Sequence, residues 1–353
     1  MTAKAREEKP CFQHGMDGLQ CNANGQRLTT VKRRDAFIGI DVGGTTIEGV
    51  LIDEAGGVIT ARSSDSAQGD DAVAKQTAMM IDGLRVLGSE LGLALVGIGI
   101  GIPGTVDVET GEVVNAVNLG ISHFNLESRI AQFIPGVPIR IENDVNAAAL
   151  GAWTMLGKCN PRGEIKNEIK NEMKMAFLNL GTGLACGIVD HGHIDHGSTG
   201  VAGEIGHIPV EVHGYPCACG QRGCLETVAS GSGVAKLWPT RHGYALPALL
   251  SAVQRGDQSA RTILNTVIQG MSSAVMIIAM SIDPQVIVIG GGLARSGQPL
   301  LDAITADLRI RAQSSAFISG LRLPQRLMLA PVSQPIGAIG AATIAADRHR
   351  ISS

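Results

Sequence analysis

The sequence predicts an α/β protein whose two halves are built alike and face each other across a central cleft. Three observations predict it. A strand, a glycine–threonine turn and a second strand occur twice, at residues 36–52 and 175–190. Val/Ile-rich strands alternate with stretches of helical periodicity around those units. The chain has 353 residues, enough for two domains of ordinary size, each with its own core.

The elements follow in order. Residues 1–34 are polar and aperiodic, a loose tail too short for a helix-turn-helix domain. An apolar strand at 36–40 runs into Asp41-Val42-Gly43-Gly44-Thr45-Thr46, and 47–52 returns as its hairpin partner. Residues 53–57 turn again before 58–61. Residues 70–91 carry Val73, Ala74, Thr77, Met80, Ile81, Leu84 and Leu87 at helical spacing. A buried strand at 96–102 stops at Pro103-Gly104. Residues 139–142 form a strand that meets Asn143-Asp144, and 147–156 are helical. The repeat at 164–174 places Glu164, Glu168 and Glu172 on one face with lysines nearby. This is a solvated helical insertion, its pairs worth about 0.3 kcal/mol each. Strands at 175–180 and 184–190 flank Gly181-Thr182-Gly183. A long apolar helix at 260–282 is stopped by Asp283-Pro284. The strand at 286–289 ends in Gly290-Gly291-Gly292, and a helix at 336–347 closes the chain.

Composition narrows the function. There are 46 glycines, near twice the usual share of about 7%. With aromatics at only 3%, they suggest Val/Ile sheets with tight turns lying close to a ligand. The net charge of −3 argues against a general polyanion binder, so no nucleic-acid partner is expected. The apolar runs are too short and too interrupted for a membrane partner, and the N-terminus lacks a secretory h-region. Seven cysteines without an export signal favour metal over disulfides and a cytoplasmic location.

Four groups of residues can carry chemistry. Both glycine turns let a phosphate reach main-chain N–H groups, and Thr45 and Thr182 add hydroxyls. Each could also be an ordinary hairpin turn, but their recurrence in corresponding places favours the phosphate role. Neither has a Walker lysine. Asp41, at the first turn, could hold Mg²⁺ directly or through water. Gly290, Gly291 and Gly292 could admit the flat face of a base. Asp144, between a strand and a helix, could accept a hydroxyl proton or could merely cap the helix; Asn143 could bond sugar hydroxyls.

The fourth group is His207 with Cys217, Cys219 and Cys224. One imidazole and three thiolates would make a closed tetrahedral Zn²⁺ set, structural because no coordination position stays open, unless the cysteines are simply reduced and unliganded. Glu204 and Glu226 flank it and suit sugar hydroxyls, unless they are surface charges. His191, His193 and His196 could suit a metal but read as a solvated turn.

Taken together, Asp41-Val42-Gly43-Gly44-Thr45, residues 142–146, Leu180-Gly181-Thr182-Gly183, Gly203-Glu204-Ile205-Gly206-His207 and residues 217–226 resemble the ROK family of repressors and sugar kinases, in the family's order. The resemblance implies two actin-like ATPase (ribonuclease H-like) domains closing on a hexose and Mg²⁺-ATP. It also implies transfer of the γ-phosphoryl group to a sugar hydroxyl, usually on C6. By position, Asp144 is the base. Asn143, Glu204, His207 and Glu226 contact the sugar, and His207 also contacts zinc. Gly43, Gly44, Thr45, Gly181, Thr182 and Gly183 hold phosphates. Gly290–Gly292 and residues 337–342 lie near adenosine.

On this basis the chain divides into a tail (1–34), a first domain (35–145), a second domain (146–332) with its zinc loop at 203–226, and a helix (333–353) returning to the first. A homodimer or homotetramer is expected. Glucose is the first substrate expected. N-acetylmannosamine, N-acetylglucosamine, allose, mannose and fructose are the alternatives, and a sugar-responsive regulator is a distant one. The chain departs from the family at Ala185 and Cys186, which replace common glycines, at the 164–174 insertion, and at Val117-Asn118-Leu119-Gly120.

Overall fold

A computed structural model describes residues 33–158, 172–241, 243–331 and 333–352. The tail at 1–32 and most of the Glu/Lys/Asn repeat, with Glu164 and Glu168, lie outside the described residues.

The first half contains β1 (Arg34–Val42), β2 (Thr46–Asp53), β3 (Val58–Asp65), α1 (Asp70–Glu90) and β4 (Leu93–Ile102). It continues with β5 (Thr105–Asp107), β6 (Glu112–Ala116), β7 (Ile121–Asn125), α2 (Leu126–Phe133) and β8 (Ile139–Asn143). Next comes α3 (Asp144–Lys158). The second half begins with β9 (Lys174–Leu180), β10 (Leu184–Asp190) and β11 (His193–Ile194). It goes on through α4 (Glu226–Ala229), α5 (Gly231–Leu237), α6 (Ala245–Gln254), α7 (Gln258–Ser281) and β12 (Val286–Gly290). It ends with α8 (Gln298–Gln313), α9 (Ala316–Gly320), α10 (Leu323–Arg326), β13 (Leu327–Leu329) and α11 (Ile336–Ser352).

Two five-stranded sheets share one topology. Their orders are β3-β2-β1-β4-β8 and β11-β10-β9-β12-β13. In both, an antiparallel hairpin carries the glycine turn, and parallel strands follow on one side. A separate sheet, β5-β6-β7, stands on the first half and has no counterpart among the described residues of the second. Its short strands mix polar and apolar residues, so their periodicity did not mark them in the sequence.

Helix ends follow local chemistry. Asp70 and Asp71 occupy the first turn of α1, which Gly92 leaves at φ +71°. Asp257 caps α7 by accepting the Ala260 N–H at 3.0 Å. Helix α7 is apolar and long enough to span a membrane, but Val267, Met271, Val275 and Ile278 are buried in the second half's core.

The two halves exchange helices. Helix α3 follows β8 of the first sheet, yet Val145, Ala149 and Trp153 pack with Phe177, Val189 and Val288 of the second. Helix α11 follows β13 of the second sheet, yet Ala338, Ile339 and Ala342 pack with Phe37, Val50 and Ile52 of the first. The crossing needs very small residues. A side chain at Gly39 or Gly99 would collide with the α11 backbone, and one at Gly151 or Gly340 with the partner helix. Many glycines therefore serve close helix packing, not only ligand turns as composition suggested.

Candidate active site

A cavity of about 470 Å³ lies between the two sheets. Asp41, Gly43, Gly44 and Thr45 line its first wall, with Asp144 beside them. Gly181, Thr182, Gly183 and Gly290–Gly292 line the other. The cleft thus brings together both turns, the two aspartates and the triple glycine. Residues that sequence reasoning gave no role also line it: Glu48, Asn179, Tyr244 and Arg295. Arg295 is the one Lys or Arg side chain among the described lining residues.

The carbonyls of both turns are tied from behind. In the first, Ser66 Oγ donates to Gly43 O at 2.6 Å, Ser66 N–H to Thr45 O at 2.9 Å, and Gln68 Nε2 to Gly44 O at 3.3 Å. In the second, Gly231 N–H donates to Gly181 O at 2.8 Å and Ser232 N–H to Thr182 O at 3.1 Å. Gly43 N–H donates to Thr46 O at 3.0 Å, so the donors that the first turn keeps for an anion, among the described residues, are the N–H groups of Gly44 and Thr45. Ala185 and Cys186 form regular β10 ladder opposite Asn179 and Leu178, so the departure from glycine leaves the turn's flank in ordinary strand geometry.

Helix α3 sets the acid. Asn143 Oδ1 accepts the Val145 N–H at 2.9 Å and the Asn146 N–H at 3.2 Å, so Asn143 is the cap. Its Nδ2 donates to Gly104 O at 3.1 Å, so one amide hydrogen is left for any sugar contact. Asp144 Oδ1 accepts the Val145 N–H at 2.9 Å, and among the described residues nothing hydrogen-bonds its other oxygen. Burial pushes the Asp144 carboxyl up to about 6, with the Glu204 charge adding to the rise. Asp41 is raised well above the usual carboxylate range by burial, then by Asp144 and Glu48. Three partly buried carboxylates lining one cavity fit a divalent cation arriving with a polyphosphate.

Asn143, Glu204, His207 and Glu226 are not among the cavity's lining residues. They stand beside it. His207 Nε2 lies 3.9 Å from Glu204 Oε2 and Nδ1 lies 3.7 Å from Glu226 Oε1. A Cβ on Gly183 would sit 3.6 Å from Glu226 Oε2, which places this cluster next to the second turn. Burial raises the Glu204 carboxyl, and His207 partly opposes that.

The ligand atoms of His207, Cys217, Cys219 and Cys224 all lie within 4.8 Å of one another. Cys219 Sγ is 3.7 Å from Cys224 Sγ, and Cys217 Sγ is 3.8 Å from His207 Nδ1. A tetrahedral zinc with bonds of about 2.3 Å places its sulfurs about 3.75 Å apart, so the donor set fits that ion. Gly220 and Gly223 take φ +91° and +73°, which makes the sharp turns that gather the thiols.

The sequence profile of the ROK family matches residues 37–348. The chain belongs to the ROK family. A glucokinase from Halalkalibacterium halodurans is 35% identical over 76% of this chain and 83% of its own length. Among solved structures, the ROK hexokinase from Thermus thermophilus matches with a TM-score of 0.73 and 26% identity. It covers 90% of this chain and 99% of that one. A ROK glucokinase from Streptomyces griseus, solved in complex with glucose and AMPPNP, matches with a TM-score of 0.68 and 26% identity, over 88% of this chain and 99% of that one. The duplicated sheets of this ROK protein are thus the α/β architecture of its kinase relatives.

Proposed function

We propose that this ROK protein is an ATP-dependent hexose kinase that phosphorylates the C6 hydroxyl of glucose. The observation that carries the reading is the position of Asp144. It shares one cavity with both glycine turns, and Asn143 relieves it of capping the helix. Kinase relatives, the glucokinase named above among them, support the same reaction.

The nucleotide's phosphates rest on the two turns, and its base lies by Gly290–Gly292. The sugar sits against Asn143, Glu204, His207 and Glu226. Asp144, ionised above about pH 6, accepts the proton of the attacking hydroxyl. Asp41 would hold Mg²⁺, which offsets phosphate charge when bound. His207, Cys217, Cys219 and Cys224 would hold a structural zinc that braces the sugar loop. Catalysis is then mostly alignment of two substrates with water kept out.

A coupled ADP-release assay tests this. Glucose should drive turnover above the sugar-free rate, ahead of mannose, fructose, allose, N-acetylglucosamine and N-acetylmannosamine. No hexose-dependent ADP release from any of the six would refute the kinase reading.

A further inference from the structure

Strand β8 carries one carboxylate that the reaction above does not use. Glu142 is 4% exposed, and a charge that deep requires partners. Its Oε1 accepts the Asn143 N–H at 2.9 Å and Asn146 Nδ2–H at 3.1 Å. Its Oε2 meets His196 Nε2 at 2.8 Å. The first two partners belong to the same strand–helix junction. His196 does not: it lies just beyond β11, the edge strand of the second sheet. The contact therefore crosses from one half of the molecule to the other.

The segment that carries His196 also carries the sugar loop. Ala202 N–H donates to His196 O at 3.4 Å, and Gly203 O accepts the Cys186 N–H at 2.8 Å. Gly203 takes φ +91°, and a side chain there would collide with the Cys186 backbone. Glu204 comes next. The same short stretch is thus anchored to β10 at one end and to Glu142 at the other. His196 is no solvated turn residue, as its neighbours His191 and His193 suggested.

Asp144 has little of its own to hold it. Its one hydrogen bond among the described residues goes to the next N–H. Its direction is set by the backbone at the β8–α3 junction, which Glu142 grips one residue earlier. We infer that His196 is a positioning residue: through Glu142 it fixes the Asn143–Asp144 junction of the first half in register with the Glu204 sugar loop of the second. Without the imidazole, Glu142 Oε2 loses the one partner it has among the described residues, and the carboxylate is free to turn toward water. A misplacement of about 1 Å at a reacting group can cost about a hundredfold in turnover, because attack needs aligned atoms about 3–3.5 Å apart.

The inference rests on the kinase reading with Asp144 as base, and the experiment separates the two. Steady-state kinetics are measured on the wild type, His196→Ala, His196→Gln, Glu142→Gln and the Ala/Gln double variant, each checked for a wild-type melting profile. His196→Ala should lower kcat about ten- to a hundredfold, with the ATP KM within about twofold. His196→Gln keeps a donor near the Nε2 position and should recover kcat to within about threefold of wild type. The double variant should be no slower than the slower single variant, because both residues act through one contact. If His196→Ala does not fold, His196→Gln against the shorter His196→Asn makes the same comparison, with only Gln recovering kcat. Wild-type kcat in His196→Ala, or additive losses in the double variant, overturns the role of His196 and leaves the kinase reading standing. A wild type inactive on every hexose overturns both.

Discussion

The two glycine turns are built on the same hairpin, yet they differ at one telling position. Two residues before the first glycine, β1 carries Asp41; at the matching place β9 carries Asn179. Both line the cleft. One is a carboxylate raised by burial beside Asp144 and Glu48; the other is a neutral amide of similar shape. The two hairpins share one frame, and a single change of one oxygen for one nitrogen separates the half with a carboxylate that would hold a cation from the half with a neutral amide. Within the cavity's lining, the first sheet is the charged side, with Asp41 and Glu48. The second is its neutral side, with Arg295 alone as counter-charge among the described lining residues.

The sharpest break of this asymmetry is at Asp144. Asp144→Asn should lower kcat about 10²–10⁴-fold while hexose binding survives, read by titration of sugar-induced fluorescence change. A base at Asp144 would work ionised, so the wild-type kcat should rise with pH through about 6, and the Asn variant should lose that limb. The same shift has a consequence for stability. A carboxyl whose folded pKa is raised costs stability as pH rises from the unfolded value of about 3.9 to about 6, because the folded state holds its proton longer. Asp144→Asn should therefore melt about 2–4 °C higher than wild type at pH 8, and a lower melting point would contradict the buried charge.

Next in size, Asp41→Asn makes the first turn resemble the second. Turnover should fall about 10–100-fold and the Mg²⁺ concentration for half-maximal rate should rise. An unchanged Mg²⁺ dependence would move the cation site elsewhere. Cys219→Ser should release bound zinc, seen by metal analysis, and raise the hexose KM about tenfold with a smaller effect on the ATP KM. Retained zinc with an unchanged hexose KM would count against the brace. The smallest effect is expected from the reverse swap. Asn179→Asp adds a carboxylate to the neutral side and should raise the ATP KM about threefold to tenfold, less as salt increases. A lower ATP KM would show that the second turn, too, prefers a cation.

How much was legible beforehand varied with the range of the interaction. The strands β1, β2, β9 and β10, both turns and the Pro-stopped end of α7 are written in contiguous residues, and they were readable there. The spacing of Cys217, Cys219 and Cys224 announced a cluster because local turns gather it. The sequence left Asp144 as either base or cap of α3; the structure gives the capping task to Asn143, whose Oδ1 accepts the Val145 and Asn146 N–H groups. Nor could it separate His196 from His191 and His193. All three sit among Gly and Asp, and only the approach of a strand from the other half picks out one of them.

By itself the chain determined its local vocabulary: which segments pleat, where glycine lets the backbone turn, and which side chains can bind phosphate, metal or proton. Those follow from hydrogen bonds, dihedral preferences and spacings within a few residues. Only the tertiary structure decided that α3 and α11 trade halves over Gly39, Gly99, Gly151 and Gly340, and that Glu142 finds its histidine on the other half. Such contacts join residues tens to hundreds of positions apart, and they are fixed by the shape left when two cores have packed, which no short window of sequence contains.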